Sequence, residues 1–191
     1  MELAGYLLPL LNALWWPFIR NLALLSAAPI IGDMMVPLPV RVLLSLVLAF
    51  LMLPMSAGNA EIDPFSLLGV VATIEQAVIG GVIGLAMHFS MSVISVLGYL
   101  VSSQIGFSMA QMNDPMNGQS SDVVSLLLSM LIILVFFSID GHLVLAGVLG
   151  ASFQAWPVGQ GYGPLLLNTV AFNAAWIFSA AMLLALPIVF L

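Results

Sequence analysis

The stretch from Gln104 to Asp122, QIGFSMAQMNDPMNGQSSD, interrupts a chain that otherwise consists of long apolar runs. Asp114-Pro115 and Asn117-Gly118 within it are residue pairs typical of turns. We therefore predict a polar loop over residues 104–122, with apolar helices on both sides of it.

The loop also carries bulky apolar side chains, and these allow two interpretations. They are Phe107, Met109, Met112 and Met116. Methionine is unbranched and adapts to irregular surfaces, so the loop could close a pore as a deformable seal. Alternatively, these side chains pack against the protein's own helices and the turn residues are ordinary turns. Non-helical backbone at membrane depth must be buried in protein or line a wet cavity, and both interpretations satisfy that condition.

The composition is that of a membrane protein. With 63% hydrophobic and 5% charged residues and a mean hydropathy of +1.23, the chain lies far outside the range of soluble globular proteins. We predict an all-α integral membrane protein with a single domain over residues 1–191. Its 191 residues leave room for about five or six helices of about 20 residues each.

Charge and cysteine content exclude several functions. A net charge of -6 with only two basic residues argues against nucleic-acid binding, which needs a basic surface. The absence of cysteine excludes disulfides and thiolate metal sites. We predict no metal, no cofactor and no catalytic residues. The start Met1-Glu2-Leu3 lacks the basic region of a secretory leader, so the first apolar run is expected to be retained.

Two helices are predicted before the longest apolar run. The first covers about Leu3 to Ile31, and the second covers Val42 to Met55, beginning near Pro39 because proline is tolerated in a first helical turn. Ser56 to Pro64 is a hydrophilic loop.

Arg20 in the first helix has two interpretations. Beside Trp15 and Trp16 it could form an interfacial anchor, with the rings at headgroup depth and the guanidinium reaching water. Alternatively it pairs with an acid inside an assembly, because intramembrane charge is costly. We favour the anchor.

The run from Phe65 to Ser103 is nearly twice as long as the roughly 20 residues that a bilayer requires. It is either two helices or one long bent helix, and Gly80-Gly81 is the natural break. Gly80 and Gly84 form a GxxxG pair. A mostly small stripe follows one helical face, which favours close helix packing: Gly81, Gly84, His88, Met91, Ser95, Gly98 and Ser102.

Two ionisable residues in this run remain open. His88 falls on the packed face, where we expect a neutral imidazole bonded to a carbonyl rather than a proton relay. Glu75 is either neutral, paired with Arg20 or Arg41, or facing a wet surface of a larger assembly.

Beyond the loop, Val123 to Ile139 is predicted as an apolar helix, and Leu143 to Phe153 continues after a stop at Asp140-Gly141-His142. Asp140 is expected to cap a turn rather than to bind metal, because no second ligand cluster accompanies it. A last helix is predicted from about Leu165.

These motifs together resemble the FliR family, the export-gate subunits of flagellar type III secretion. The resemblance covers nearly the whole chain, in the family's order: Val36-Pro37, Val40-Arg41, Glu75 with Gly80 and Gly84, Gly106-Phe107 with Ala110, Asp114-Pro115 with Gly118, Gly141-His142 and Phe153.

The resemblance implies a subunit that joins FliP and FliQ in a conical channel for unfolded flagellar proteins. That channel lies in the flagellar basal body at the bacterial inner membrane and meets FlhB- and FlhA-like export components. The segment Gly106 to Gly118 corresponds to the plug loop. Its implied plug residues are Phe107, Met109, Met112, Asp114, Pro115 and Met116. The residues expected in helix packing and assembly are Arg41, Glu75, Gly80, Gly81, Gly84 and Gly98.

Some features leave alternatives open. Family members continue into a FliQ-like stretch that this chain lacks, and virulence injectisomes use an equivalent subunit. A rival of another class is a proton-coupled permease, in which Glu75, His88 and Asp140 would form a relay. A weaker rival is an intramembrane enzyme that pairs a serine with His88 or His142.

Overall fold

The computed structural model describes residues 2–30, 32, 36–56, 62–106, 111–113 and 120–159. These residues form five helices and one short hairpin. They are α1 (Glu2–Ala27), α2 (Leu38–Ser56), α3 (Leu67–Gln104), β1 (Gln111–Asn113), β2 (Ser120–Asp122), α4 (Val123–Ser138) and α5 (Gly141–Ala155). By length and composition, α3 can cross a membrane, and α4 with α5 could form a second, broken span. The predicted fold class, a helical membrane protein, is confirmed.

Helix α3 begins at a well-defined cap. The Ser66 Oγ accepts a hydrogen bond from the Gly69 backbone N–H at 3.0 Å and donates to the Asp63 carbonyl at 2.7 Å. The Asp63 carboxylate also accepts from the Phe65 N–H. Serine in this position satisfies a backbone donor that the first helical turn leaves unpaired.

Of the two alternatives predicted for this run, the structure shows one long helix, because α3 runs through both glycines over 38 residues without a break at Gly80-Gly81. A glycine inside a helix costs only about 1 kcal/mol relative to alanine. Breaking the helix in apolar surroundings would leave backbone N–H and C=O groups without water to bind, which costs more.

The structure divides the described helices between two compact units. The first consists of residues Met1–Leu85 and Leu143–Leu166, and the second of Ala86–His142 and Leu167–Leu191. One core cluster of the first unit is formed by Leu24, Leu25, Met52, Leu149 and Phe153. A smaller cluster of that unit is formed by Trp16, Ala72 and Val158. The first unit thus has a core drawn from four helices, α1, α2, α3 and α5.

The second unit contains the later part of α3, the hairpin and α4. Strand β1 pairs with β2 in antiparallel register, with Met112 opposite Ser121. No period-2 pattern indicates these strands from the sequence, because each is only three residues long. The two strands lie between α3 and α4 in the chain, and β2 is followed immediately by α4.

Much of the apolar surface is exposed. On α2 the large exposed side chains include Leu38, Val40, Leu43, Val47, Phe50 and Leu51. On α4 they include Leu127, Met130, Leu131, Leu134, Val135 and Phe137. Soluble monomers rarely expose large contiguous apolar patches, so these helices need lipid or another protein against them.

Candidate functional site: a buried polar junction and the central loop

Helix α1 and the first part of α3 form a parallel pair within the first unit. The Trp15 Nε1–H donates to the Thr73 Oγ at 3.1 Å, and one turn later the Arg20 Nε–H donates to the Gln76 Oε1 at 2.7 Å. The paired residue numbers rise together, which requires a parallel pair. This junction brings together polar residues that are separated by 58 and 56 positions in the sequence.

Glycine allows the two backbones to approach. A Cβ on Gly80 would overlap the Arg20 carbonyl oxygen and lie 3.1 Å from the Ala23 Cβ. A Cβ on Gly84 would lie 2.6 Å from the Leu24 carbonyl oxygen and 2.7 Å from the Ala27 Cβ. Small residues four apart on α1, at 23 and 27, therefore face the GxxxG pair of α3.

The adjacent Gly81 is different, because a Cβ added there meets no atom within 4 Å. Of the three predicted glycines in this part of α3, two therefore pack against α1 and one faces open space. The contact of Gly81 with a partner subunit stays a prediction.

Arg20 occupies the centre of this junction, with no exposed surface. Its Nη1–H donates to the Ser152 Oγ at 2.9 Å and its Nη2–H donates to the Trp156 carbonyl at 2.8 Å. Its guanidinium carbon lies 3.9 Å from the centre of the Phe153 ring. Trp156 directly follows α5, so Arg20 binds a free carbonyl at a helix C-terminus, where a positive charge is favourable.

The predicted interfacial anchor at Arg20 is therefore wrong. Trp16 is fully buried and Trp15 is partly buried and bonded to Thr73. The acceptors that bind Arg20 are distant in sequence, because they lie on α3, on α5 and directly after α5.

Glu75 is buried beside this network, with 4% of its surface exposed. It immediately precedes Gln76, whose side chain accepts a hydrogen bond from Arg20. Its Oε1 has no hydrogen-bond partner among the described residues, and the same holds for the Gln76 Nε2 and for both amide atoms of Asn21. The pairings that the sequence left open for Glu75 stay predictions.

Arg41 lies near the start of α2 and is partly buried. Its Nε–H donates to the Val36 carbonyl at 3.0 Å. This bond is local to α2 and does not test the role of Arg41 in assembly, which stays a prediction.

The second unit has one close helix contact of its own. A Cβ on Gly98 would lie 2.5 Å from the Ser125 Cα and 2.6 Å from its Oγ. The Ser125 Oγ–H donates to the Ser95 carbonyl at 3.1 Å, and Ser102 is fully buried. His88 has an exposed side chain within this chain, so the packing of its face against a partner helix stays a prediction.

Most of the predicted plug residues lie outside the described residues: Phe107, Met109, Asp114, Pro115 and Met116. Met112 lies on β1. Their role in closing a pore stays a prediction.

The turn between α4 and α5 fits the prediction at Asp140. Asp140 adopts φ 57°, and its N–H donates to the Phe137 carbonyl at 3.2 Å. The His142 ring lies 5.6 Å from the Phe137 ring. Asp140 and His88 are exposed whereas Glu75 is buried, so the three residues of the permease hypothesis occupy different environments.

The sequence did not reveal Gln76, Ser152 and the Trp156 carbonyl as parts of the junction. Each is a single polar group in an apolar helix or at its end, and such groups are informative only when their partner is known. Arg20, Gln76 and Ser152 are polar residues on three different apolar helices, α1, α3 and α5. Their presence in apolar helices could have suggested a buried polar network.

Comparison with known proteins identifies a family and relatives that match nearly the whole chain. A family model described as Bacterial export proteins, family 1, matches residues 11–191. The chain is 32% identical over 184 residues to the flagellar biosynthetic protein FliR of Escherichia coli (strain K12), covering 94% of this chain and 69% of that protein. It is 33% identical over 178 residues to FliR of Pectobacterium carotovorum subsp. carotovorum, covering 92% and 67%. It is 25% identical over 170 residues to FliR of Bacillus subtilis (strain 168), covering 88% and 64%.

Proposed function

The chain belongs to the bacterial export proteins of family 1, and we propose from this membership that it is a core subunit of the flagellar type III protein export gate. In this role it joins FliP- and FliQ-like subunits in a channel that passes unfolded flagellar proteins. It lies in the bacterial inner membrane as a multi-pass protein and meets FlhB- and FlhA-like components.

The observation that carries this proposal is the family match over residues 11–191, which includes both compact units and the loop between α3 and α4. The three relatives named above are flagellar biosynthetic proteins, which favours the flagellar gate over the injectisome.

The exposed apolar faces of α2 and α4 support partner contacts. In a channel built from several chains, these faces would be covered by neighbouring subunits or by lipid.

The loop between α3 and α4 is proposed to help close the channel. Its three methionines can fill an irregular opening, and displacement of the loop would let an extended polypeptide pass. The proposed activity is mechanical gating, with no bond made or broken in the substrate.

The test uses cells that carry the full complex. Deletion of residues 109–118, and separately the triple change Met109→Ser, Met112→Ser and Met116→Ser, is expected to make the membrane leaky to ions while the complex still assembles. The matched control changes Asn117→Ser and Gln119→Ser, which alters the same loop and keeps every methionine. Ion leak, export of flagellar proteins and recovery of the purified complex are measured together.

A complex that assembles and leaves the membrane tight in both loop variants would contradict the sealing role. If uptake of a small solute changes instead, and if Asp140→Asn or His88→Gln abolishes that uptake, the permease takes the place of the export gate.

A further inference from the structure

The junction around Arg20 contains more polar groups than the hydrogen bonds among the described residues satisfy. Arg20 donates through all three of its nitrogens, yet the acceptors are a neutral amide, a hydroxyl and a backbone carbonyl. These acceptors satisfy the geometry of the guanidinium without balancing its charge. A buried cation costs several kcal/mol unless an anion lies nearby.

Glu75 is the buried anion of this junction, and it immediately precedes Gln76 on α3. One of its carboxylate oxygens and the Gln76 Nε2 both lack partners among the described residues, as do the amide atoms of Asn21 beside Arg20. All of these atoms have almost no accessible surface. A partner subunit therefore cannot reach them from outside the chain.

Unpaired polar groups at this depth usually bind an internal water, which makes two to four hydrogen bonds. The orientation of Gln76 suits this role. Its Oε1 accepts from the Arg20 Nε–H, so its Nε2–H is free to donate to a water that in turn donates to the Glu75 Oε1.

We propose that Arg20 and Glu75 form a charge pair closed within this chain, bridged by Gln76 and a buried water. The pair fixes the end of α5 against α1 and α3, since Arg20 also binds Ser152 and the Trp156 carbonyl. Glu75 is thereby assigned to the interior of the subunit and not to a contact with a partner. This inference is independent of the channel and of its gating.

The test measures the thermal unfolding midpoint of the full chain in detergent, purified with and without its partner subunits. Glu75→Gln keeps the shape of the side chain, removes its charge and replaces one acceptor oxygen with an NH2 donor. This change and Arg20→Met are each expected to lower the midpoint by about 10 °C, because each leaves a buried charge or buried acceptors uncompensated. The double variant should lose clearly less than the sum, since the two residues interact.

The matched control is Asp140→Asn, which removes the charge of an exposed carboxylate and suits the same backbone conformation. Its midpoint should equal that of the unchanged chain. A structure of the chain at a resolution that reveals ordered water should show density within hydrogen-bond distance of the Glu75 Oε1.

Three results would overturn the proposal. The losses of the two single variants could add fully in the double variant. Glu75→Gln could destabilise the chain only when partner subunits are bound, which would place Glu75 at an interface. A well-resolved structure could show no water at the Glu75 carboxylate.

Discussion

The two parts of α3 are similar in sequence but differ in what covers them. Up to Leu85, the helix buries one face at intervals of three and four residues: Ala72, Glu75, Gln76, Ile79, Gly80 and Gly84. From Ala86 onwards only Gly98 and Ser102 are buried, and Tyr99 remains 61% exposed. Hydropathy reports the tendency of a side chain to leave water, whereas burial requires another element with a complementary surface. The first part of α3 packs against such a surface on α1. Most of the second part packs against no such surface within the described residues.

The largest effect on stability is expected at Gly80, where α1 packs against the first part of α3. Gly80→Ala should destabilise the chain by about 3 kcal/mol, because its Cβ would overlap a backbone carbonyl that cannot move without shifting α1. Gly81→Ala is the matched control. It should be neutral or stabilise by up to about 1 kcal/mol, since alanine is the better helix former and the space is open.

Thermal unfolding of the two purified variants measures this difference. Equal midpoints for Gly80→Ala and Gly81→Ala would mean that α1 and α3 do not pack as closely as described, and the contrast between the two parts of α3 would then fail.

A smaller effect is expected in the second unit. Gly98→Ala should cost about 1 kcal/mol, because the new Cβ would press on the Ser125 backbone but α4 is exposed enough to shift. Gly147→Ala on α5, where no atom lies within 4 Å, controls for the gain in helix propensity. Protease resistance and unfolding midpoint are the measurements. A loss at Gly98 as large as that at Gly80 would show that both parts of α3 are equally fixed.

The smallest effect on stability is expected at the turn after α4. There the effect depends on local backbone strain and not on packing against another helix. Asp140 has φ 57°, a conformation that aspartate tolerates and glycine adopts without cost. Asp140→Gly should therefore stabilise by less than about 1 kcal/mol, while Asp140→Val should destabilise by about 1 kcal/mol. If both variants unfold at the same temperature, the backbone at residue 140 is not in the left-handed region.

Local patterns in the sequence predicted much of this fold. The apolar runs gave the helices, Asp140-Gly141 gave the break between α4 and α5, and Gly80 with Gly84 indicated a close helix contact. The errors concern partners distant in sequence. The sequence pattern predicts a membrane-interface anchor at Arg20, because a local pattern cannot reveal a distant hydrogen-bond acceptor. One such acceptor, the Ser152 Oγ, lies 132 residues away in the chain. A break at Gly80-Gly81 was one of two alternatives because glycine alone indicates flexibility, while the opposing carbonyl that requires glycine is invisible in the sequence.

The candidate site was less predictable than the fold. The family resemblance named Glu75 with Gly80 and Gly84, and the small stripe included Gly98, but neither pattern could indicate which neighbours these residues meet. The structure assigns Gly80 to α1 and Gly98 to α4, because helix packing is decided by the shape of both surfaces. The proposed plug role of the central loop involves contacts with other chains, so it stays a prediction.

The length of α3 sets a limit on how it can sit in a bilayer. Its 38 residues measure about 57 Å along the axis at about 1.5 Å per residue. To stay within about 30 Å of hydrocarbon it would have to tilt by about 60°, whereas membrane helices tilt by at most about 40°. At that upper limit about 26 residues are covered, and about a dozen extend beyond the hydrocarbon. Hydrophobic mismatch alone therefore requires that part of this apolar helix be sheltered by protein.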